Sequence, residues 1–177
     1  MIEQTEKILI NRVSESGLIT INLEDYLPKG EFAYFDIKDY LFMELILKEK
    51  DFREALKIYD WSQLQDRNLL IYCSTDAIIP TWAFMLVSVN AKPYAKNIYF
   101  GNEESFTINY VMAQLNKIDF QQYEQQRIVI KGCSDKPVPV AAYVELSARL
   151  QPFAQSIMYG EPCSTVPIFK RPRVINH

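Results

Sequence analysis

Histidine is almost missing from this sequence, and glycine is scarce. The chain of 177 residues contains one histidine, His177 at its end, and five glycines. This removes the most common general base and the most common nitrogen ligand of metals. No glycine-rich phosphate loop and no Gly-x-Ser-x-Gly elbow occurs, so nucleotide binding and serine hydrolysis have no motif behind them. Chemistry here would depend on Cys, Asp, Glu, Lys, Tyr or a bound cofactor, and the sequence leaves open whether the protein is an enzyme.

Clustered positive charge and long apolar runs are also missing. With 19 basic and 22 acidic residues the formal net charge is −3, which argues against a broad nucleic-acid or anionic-membrane surface. No apolar run of about 18 residues occurs, and the N-terminus lacks the basic start and apolar core of a secretory signal. We therefore expect a cytoplasmic protein without a nucleic-acid or membrane partner. Protein partners or a homodimer fit the rich aromatic content.

The residues that are present predict a folded chain. Hydrophobic residues make up 49% of the sequence, aromatic residues 13% and charged residues 23%, so disorder and coiled coil are poor descriptions. At this length we expect a single α/β domain over residues 1–177. The basic cluster 170–173, in a tail of about 168–177, is more typical of a solvated chain end than of a nucleic-acid site.

Two segments of the chain follow the same pattern. An apolar run ends in Cys-Ser and is followed by Asp and Pro at 69–80, and again at 128–139. The similarity covers about 68–101 and 127–160, and both segments end in an aromatic residue followed by Gly. We interpret the pattern as an internal duplication of a strand–helix–strand unit. The alternative is convergence on common strand-to-helix chemistry.

The order of apolar runs predicts the fold class. From 69 to 159 the pattern alternates strand and helix, which is typical of a largely parallel sheet with helices on both faces, a three-layer α/β fold. Upstream, 18–23 and 32–37 predict two strands that form a hairpin or an edge addition, which would make the sheet mixed. The segment 39–59 predicts a helix.

The starts of the two helices in the repeat carry further expectations. Asp76 and Asp135 are expected to cap these helices, with Pro80 and Pro139 in their first turns. The first of the two helices has little polar face, which favours burial by another layer or by a second subunit. Its large apolar residues are Trp82, Phe84, Met85, Leu86, Val87 and Val89.

Each of the three cysteines, Cys73, Cys133 and Cys163, is followed by a serine. The odd count and wide spacing fit free thiols in a reducing compartment better than a disulfide framework. Cys73 and Cys133 are expected where a strand ends and a helix begins, a position where the helix dipole favours the thiolate. The carboxyl ends of parallel strands are also where α/β folds place their sites.

Three converging thiolates could hold zinc or an iron–sulfur cluster if a fourth ligand is present. Asp76, Asp135 and Glu161 are candidates for the fourth ligand, and each also fits a plain role as a cap or a solvated loop residue. No Cys-x-x-Cys pair occurs, so the motif is not specific. The alternative is a non-enzymatic interaction or scaffold protein whose cysteines are inert thiols at the ends of buried strands.

Several segments also carry a family resemblance. These are 11–13, 17–20, 47–53, 73–83, 131–139 and 156–164. Together they resemble the bacterial family called domain of unknown function 2480, over nearly the whole chain. The family has no established activity. Its members tend to be encoded beside iron–sulfur assembly genes of the sulfur-mobilisation type, so the resemblance implies an accessory role in iron–sulfur or sulfur metabolism, by association rather than by mechanism.

Overall fold

The computed structural model describes residues 17–132, 137–161 and 164–172. Strands and helices alternate along the chain, which confirms the α/β class. In chain order the elements are β1 (Leu18–Asn22), β2 (Phe32–Asp36), α1 (Glu49–Ile58), β3 (Asn68–Tyr72), α2 (Thr81–Ala91), β4 (Asn97–Phe100), α3 (Glu103–Leu115), β5 (Arg127–Lys131), α4 (Val140–Leu150), β6 (Ser156–Glu161) and β7 (Ser164–Lys170). Among the described helices, none has the length and apolar character needed to cross a membrane.

The chain forms two compact units. Unit 1 comprises Met1–Leu27 and Val111–His177, and unit 2 is Pro28–Tyr110. Helix α3 therefore contributes its first half to unit 2 and its second half to unit 1. The expectation of one domain over residues 1–177 stays a prediction.

Unit 2 is built in three layers on a parallel sheet with the order β2, β3, β4. Helices α1 and α2 cover one face of this sheet, where Phe52 and Val87 join the same core as Phe35. Because successive residues of a strand face opposite sides, Phe32 lies on the other face. There it meets Phe106 of α3 in an edge-to-face contact, with ring centroids 5.6 Å apart.

Unit 1 is built on a mixed sheet with the order β1, β5, β6, β7. The first three strands are parallel, and β7 is antiparallel to β6. Helix α4 packs on this sheet through Leu146 and Leu150, and the second half of α3 adds Val111 and Leu115 to the same core. The sheet of this unit is mixed, as predicted, but its antiparallel strand is β7 rather than one of the first strands of the chain.

Two expectations about the sheet are wrong. Strands β1 and β2 do not form a hairpin, because they belong to different sheets: Leu18 pairs with Arg127 of β5, and Phe32 pairs with Asn68 of β3. Each is an edge strand of its sheet, as the other alternative predicted, but each runs parallel to its neighbour. The strands between 69 and 159 likewise do not form one sheet. A period of two in the sequence identifies a strand, but it leaves the pairing partner unspecified.

The helix expected over 39–59 is shorter than predicted, because α1 begins only at Glu49. Before it, Ile37–Tyr40 forms a 3₁₀ turn, and Met43 and Glu44 have positive φ angles, which an α-helix excludes. The prediction that Asp76 caps α2 is also wrong, because Pro80 occupies the N-cap position and no side chain forms a capping hydrogen bond there. Pro80 therefore precedes the helix and does not lie in its first turn.

Corresponding elements of the two units lie a constant 59 residues apart. This spacing separates the starts of β3 and β5 at 68 and 127, and the starts of α2 and α4 at 81 and 140. It also separates Gly101 and Gly160, which both have positive φ angles of 132° and 119°. In each unit the first described strand ends in a polar residue that caps a 3₁₀ turn: Asn22 caps Leu23–Tyr26 in unit 1, and Asp36 caps Ile37–Tyr40 in unit 2.

Candidate functional site

Cys73 lies directly after β3, at the carboxyl end of the central strand of unit 2. Its sulfur is 3.4 Å from the Thr75 hydroxyl oxygen, and the side chain is half-buried. Asp76 is exposed. Within residues 17–132, 137–161 and 164–172, no three His, Cys, Asp or Glu side chains group closely enough to hold a metal ion.

The other predicted ligands lie elsewhere. Cys133, Asp135 and Cys163 are outside the described residues, so the convergence of the three thiols stays a prediction. Glu161 is described: it is exposed and forms an ion pair with Lys131, with 3.3 Å between nitrogen and oxygen. Glu161 therefore forms a surface ion pair within unit 1.

An open groove of about 610 Å³ lies in unit 2 beside the start of α3, and no feature of the sequence predicted it. It is lined by Tyr34, Leu70, Tyr72, Gly101, Asn102, Glu103 and Glu104. The Tyr34 hydroxyl donates a hydrogen bond to the Glu103 carboxylate, and this bond, together with burial, raises the pKa of Tyr34. The pair is 69 residues apart in sequence, and nothing in the sequence signals it.

Asp36 lies next to this groove, at the end of β2. One of its carboxylate oxygens accepts hydrogen bonds from the backbone N–H groups of Lys38 and Ser74, each at 3.0 Å. Burial alone would raise the pKa of Asp36, but hydrogen bonds from Ser74 and Lys38 outweigh burial, so the pKa lies below its usual value. Burial, followed by the charge of Asp36, raises the pKa of Tyr72.

These shifts move the groove away from acid–base chemistry at neutral pH. A general acid or base works best when its pKa lies near the working pH. Here the pKa of the carboxyl is lowered and the pKa values of the two phenols, Tyr34 and Tyr72, are raised. The groove therefore presents the phenols of Tyr34 and Tyr72 next to acidic side chains, and the hydrogen bond from Tyr34 to Glu103 shows that this arrangement suits hydrogen bonding.

A second surface of unit 2 is apolar, and we call it the β4 surface: Phe84, Met85 and Val89 of α2 with Phe100 of β4. The exposed fractions of Met85, Val89 and Phe100 are 63%, 72% and 65%. The rings of Phe84 and Phe100 meet edge to face with centroids 5.0 Å apart. These residues line a shallow groove of about 380 Å³.

Helix α2 was expected to be buried by another layer or by a second subunit. Within this chain one of its faces is buried, and burial by a second subunit stays a prediction. Ala83, Val87 and Ala91 are fully buried in the core of unit 2, whereas Met85 and Val89 are exposed. No charged residue occurs within Thr81–Ala91. An exposed apolar face of this kind is uncommon in a monomeric protein.

The corresponding place in unit 1 is built differently. Tyr143 and Tyr159 stand 59 residues after Phe84 and Phe100, and their rings form the same kind of contact, at 5.7 Å and 78°. The outer edge of β6 is paired with β7. Among the described residues, no strand pairs with the outer edge of β4.

Comparison with known proteins relates the chain to one family. The family model described as "Protein of unknown function (DUF2480)" matches residues 7–171. No curated protein and no solved structure matches the chain. The matched region includes every strand and helix that the structure describes in the two units. The chain therefore belongs to the DUF2480 family of proteins of unknown function, as its sequence predicted.

Proposed function

We propose that this protein acts by binding another protein chain at the β4 surface, as a non-enzymatic interaction or scaffold protein. One observation carries the proposal: unit 1 completes its sheet with β7, and unit 2 leaves the equivalent edge at β4 unpaired among the described strands. An open strand edge is a template for pairing, and many recognition domains add a partner's strand there.

The backbone of β4 supports strand addition. The Gly101 N–H donates to the Ile71 carbonyl at 3.1 Å, toward β3. Since alternate residues of a strand direct their backbone groups to opposite sides, the N–H and C=O groups of Ile98 and Phe100 face the open edge. An extended chain placed beside β4 would hydrogen-bond to these groups.

The side chains next to this edge would add apolar contact. Phe84, Met85, Val89 and Phe100 are neutral, and they lie along the same side of unit 2. Burial of such side chains is the main favourable contribution to most protein association. The preferred partner is therefore an extended, uncharged segment with apolar side chains on one side.

Photo-crosslinking in the producing cells tests this proposal. Met85 and Val144 occupy equivalent positions of α2 and α4 and have similar exposed fractions of 63% and 64%. We expect a photo-reactive phenylalanine analogue at position 85 of the full chain to give a discrete crosslinked species. The same analogue at position 144 is the matched control. Equal crosslinking at both positions, or none at either, would overturn the proposal.

The thiolate site is a separate proposal that depends on the sequence pattern. It holds that Cys73, Cys133 and Cys163 bind zinc or an iron–sulfur cluster, with Asp76 or Asp135 as a further ligand. The position of Cys73 at a strand end supports it. Protein purified without oxygen should then contain stoichiometric zinc or iron, and Cys133→Ser should lose it. A metal-free native protein would overturn this proposal and leave the first one intact.

We also propose that the two units arose by duplication. The constant spacing of 59 residues between corresponding elements supports this origin. Strand β7 then has no counterpart among the described elements of unit 2.

A further inference from the structure

We infer that the partner of β4 is β4 of a second copy of this chain, paired antiparallel about a twofold axis. This inference rests on the proposed function and names its partner. A twofold interface brings the same surface of both copies together, so that surface must be complementary to itself. The β4 surface meets this condition in three respects: the hydrogen-bonding pattern of its backbone, the apolar character of its side chains and the distribution of charge at the ends of the strand.

The backbone of β4 pairs with itself in one register. If two β4 strands run antiparallel with Tyr99 opposite Tyr99, then Ile98 of each copy stands opposite Phe100 of the other. Ile98 and Phe100 are the residues whose backbone groups face the open edge. In an antiparallel ladder, residues that exchange both hydrogen bonds stand directly opposite each other. The two copies would therefore form two such pairs, related by the twofold axis.

The side chains that flank the edge are alike in both copies and uncharged. Met85 and Val89 would lie near their own copies across the axis, and Phe100 would stand opposite Ile98 of the other copy. The buried centres of homodimer interfaces are more apolar than other protein surfaces and are depleted of charge. No charge within Thr81–Ala91 opposes such contact.

Charges stand at the two ends of β4 and favour the antiparallel direction. Lys92 and Lys96 precede the strand, and Glu103 and Glu104 follow it. The register centred on Tyr99 places the backbone of Lys96 opposite Asn102 of the other copy. The side chains of Lys96 and Glu103 hydrogen-bond within their own copy, to the Lys29 carbonyl oxygen and to the Tyr34 hydroxyl. Lys92 and Glu104 are therefore the charges that carry the complementarity. A parallel arrangement would bring lysines to lysines and glutamates to glutamates. Charge complementarity of this kind fixes the register and orientation of an interface.

Unit 1 provides the precedent for such a pairing. The edge of β6 that corresponds to the open edge of β4 is occupied by an antiparallel strand, and Ile157 stands opposite Phe169 there. Ile157 corresponds to Ile98 at the spacing of 59 residues. The self-pairing would thus place an aromatic residue opposite each Ile98, as β7 does for Ile157.

Sedimentation of the full chain over a range of concentrations tests the inference. We expect a dimer of the native chain, and an increase of at least about tenfold in its dissociation constant for Met85→Lys, because a charge would be placed in the apolar contact. The matched variant Val144→Lys should leave the dissociation constant unchanged. Circular dichroism shows whether each variant keeps its fold. Hydrogen exchange at Ile98 and Phe100 should slow as the concentration rises.

The outcomes separate this inference from the function it depends on. A native chain that stays monomeric at its highest soluble concentration overturns self-pairing. If crosslinking at position 85 then captures a different chain, the proposed function still holds. If neither a dimer nor a crosslink at position 85 is found, both fail. A dimer that Met85→Lys leaves intact, with fast exchange at Ile98 and Phe100, also overturns the inference.

Discussion

In unit 1 strand β6 is followed by β7, which returns along its outer edge, whereas in unit 2 strand β4 is followed directly by helix α3. The strand–helix–strand segments before these points have the same element lengths for α2 and α4 and for β3 and β5. The next element along the chain therefore decides whether an edge is covered. Natural sheets protect their edges, and the open apolar edge of β4 is the basis of the proposed contact with another chain.

The largest effects are expected from the buried cores that the two units share. Val87 and Leu146 occupy equivalent positions and are fully buried. We expect Leu146→Ala to lower the free energy of unfolding by about 2 to 5 kcal/mol, and Val87→Ala by roughly 1 to 3, because each leaves a cavity.

Urea unfolding followed by circular dichroism measures both losses and tests the single domain. If residues 1–177 form one domain, each substitution moves one common transition. Two transitions, of which each substitution moves only one, would contradict the single-domain prediction and show that the units unfold independently.

The next largest effect is a difference in unfolding free energy between substitutions at the covered edge of β6 and at the open edge of β4. Phe169 of β7 packs against the core of unit 1, and Phe100 is mostly exposed. Phe169→Ala should cost roughly 1 to 3 kcal/mol of unfolding free energy. Phe100→Ala should cost under about 1 kcal/mol when the protein is dilute enough to be monomeric. Equal losses in denaturant titrations would contradict the open edge.

A smaller difference concerns the polar caps after the first strand of each unit. The side-chain oxygens of Asn22 and Asp36 each accept a hydrogen bond from the backbone N–H two residues later, Glu24 at 3.3 Å and Lys38 at 3.0 Å. Only Asp36 is charged. We expect Asp36→Asn to cost up to about 1.5 kcal/mol near pH 7, because a charged acceptor becomes neutral.

The pH dependence of this loss gives its sign. The pKa of Asp36 is lowered in the folded state, so its stabilisation is present above the usual pKa of 3.8 and disappears as the pH falls through the lowered value. Unfolding measured at neutral and at acid pH should show the native chain and the variant converging in acid. A difference that does not depend on pH would mean that the charge contributes nothing.

The smallest expected effect concerns the ionisation of Tyr26 and Tyr40, the last residues of the 3₁₀ turns Leu23–Tyr26 and Ile37–Tyr40. Burial is the main cause that raises the pKa of Tyr40 to about 12, and electrostatic interaction with Tyr59 and with Asp39 adds to it. Burial and the charge of Asp25 raise the pKa of Tyr26 as well. For Tyr40, stability from the neutral phenol is fully present below pH 10 and is lost as the pH rises through about 12.

Ultraviolet absorbance titration detects these phenols as they ionise. We expect Tyr40→Phe to remove a late part of the alkaline absorbance change, above the usual tyrosine range. A loss of signal near pH 10 instead would show that Tyr40 is more accessible to water than the packing of its ring on Phe35, at 5.1 Å, indicates.

Much of the fold could be predicted from the sequence, because its signals are local. The continuous apolar runs of β3 and β5 identify buried parallel strands. Strand β7 was not predicted, and its last residues were assigned to the solvated tail of about 168–177, whereas Phe169 packs against the core. A proline such as Pro167 is uncommon within a strand. The structure tolerates this proline since it stands opposite Met158 in an outer strand of the sheet, where the missing N–H costs no ladder hydrogen bond.

The candidate sites were less predictable. The apolar character of α2 is visible in the sequence. It predicted that the helix is buried, but it did not show which residues of the helix would be exposed. Met85 and Val87 are both apolar and close in sequence, yet one is exposed and the other is buried. The groove at Tyr34 and Glu103 had no sequence signal, because it depends on a strand and a helix that are distant along the chain.

By itself the sequence determined the α/β class, the order of strands and helices from β3 to β6 and the membership of the DUF2480 family. These follow from residue types and from periodicities within short segments. Only the tertiary structure decided that the strands divide between two sheets and that β6 is covered while β4 is open among the described strands. Strand pairing uses backbone groups that every residue shares, so local sequence patterns cannot specify the partner of an edge.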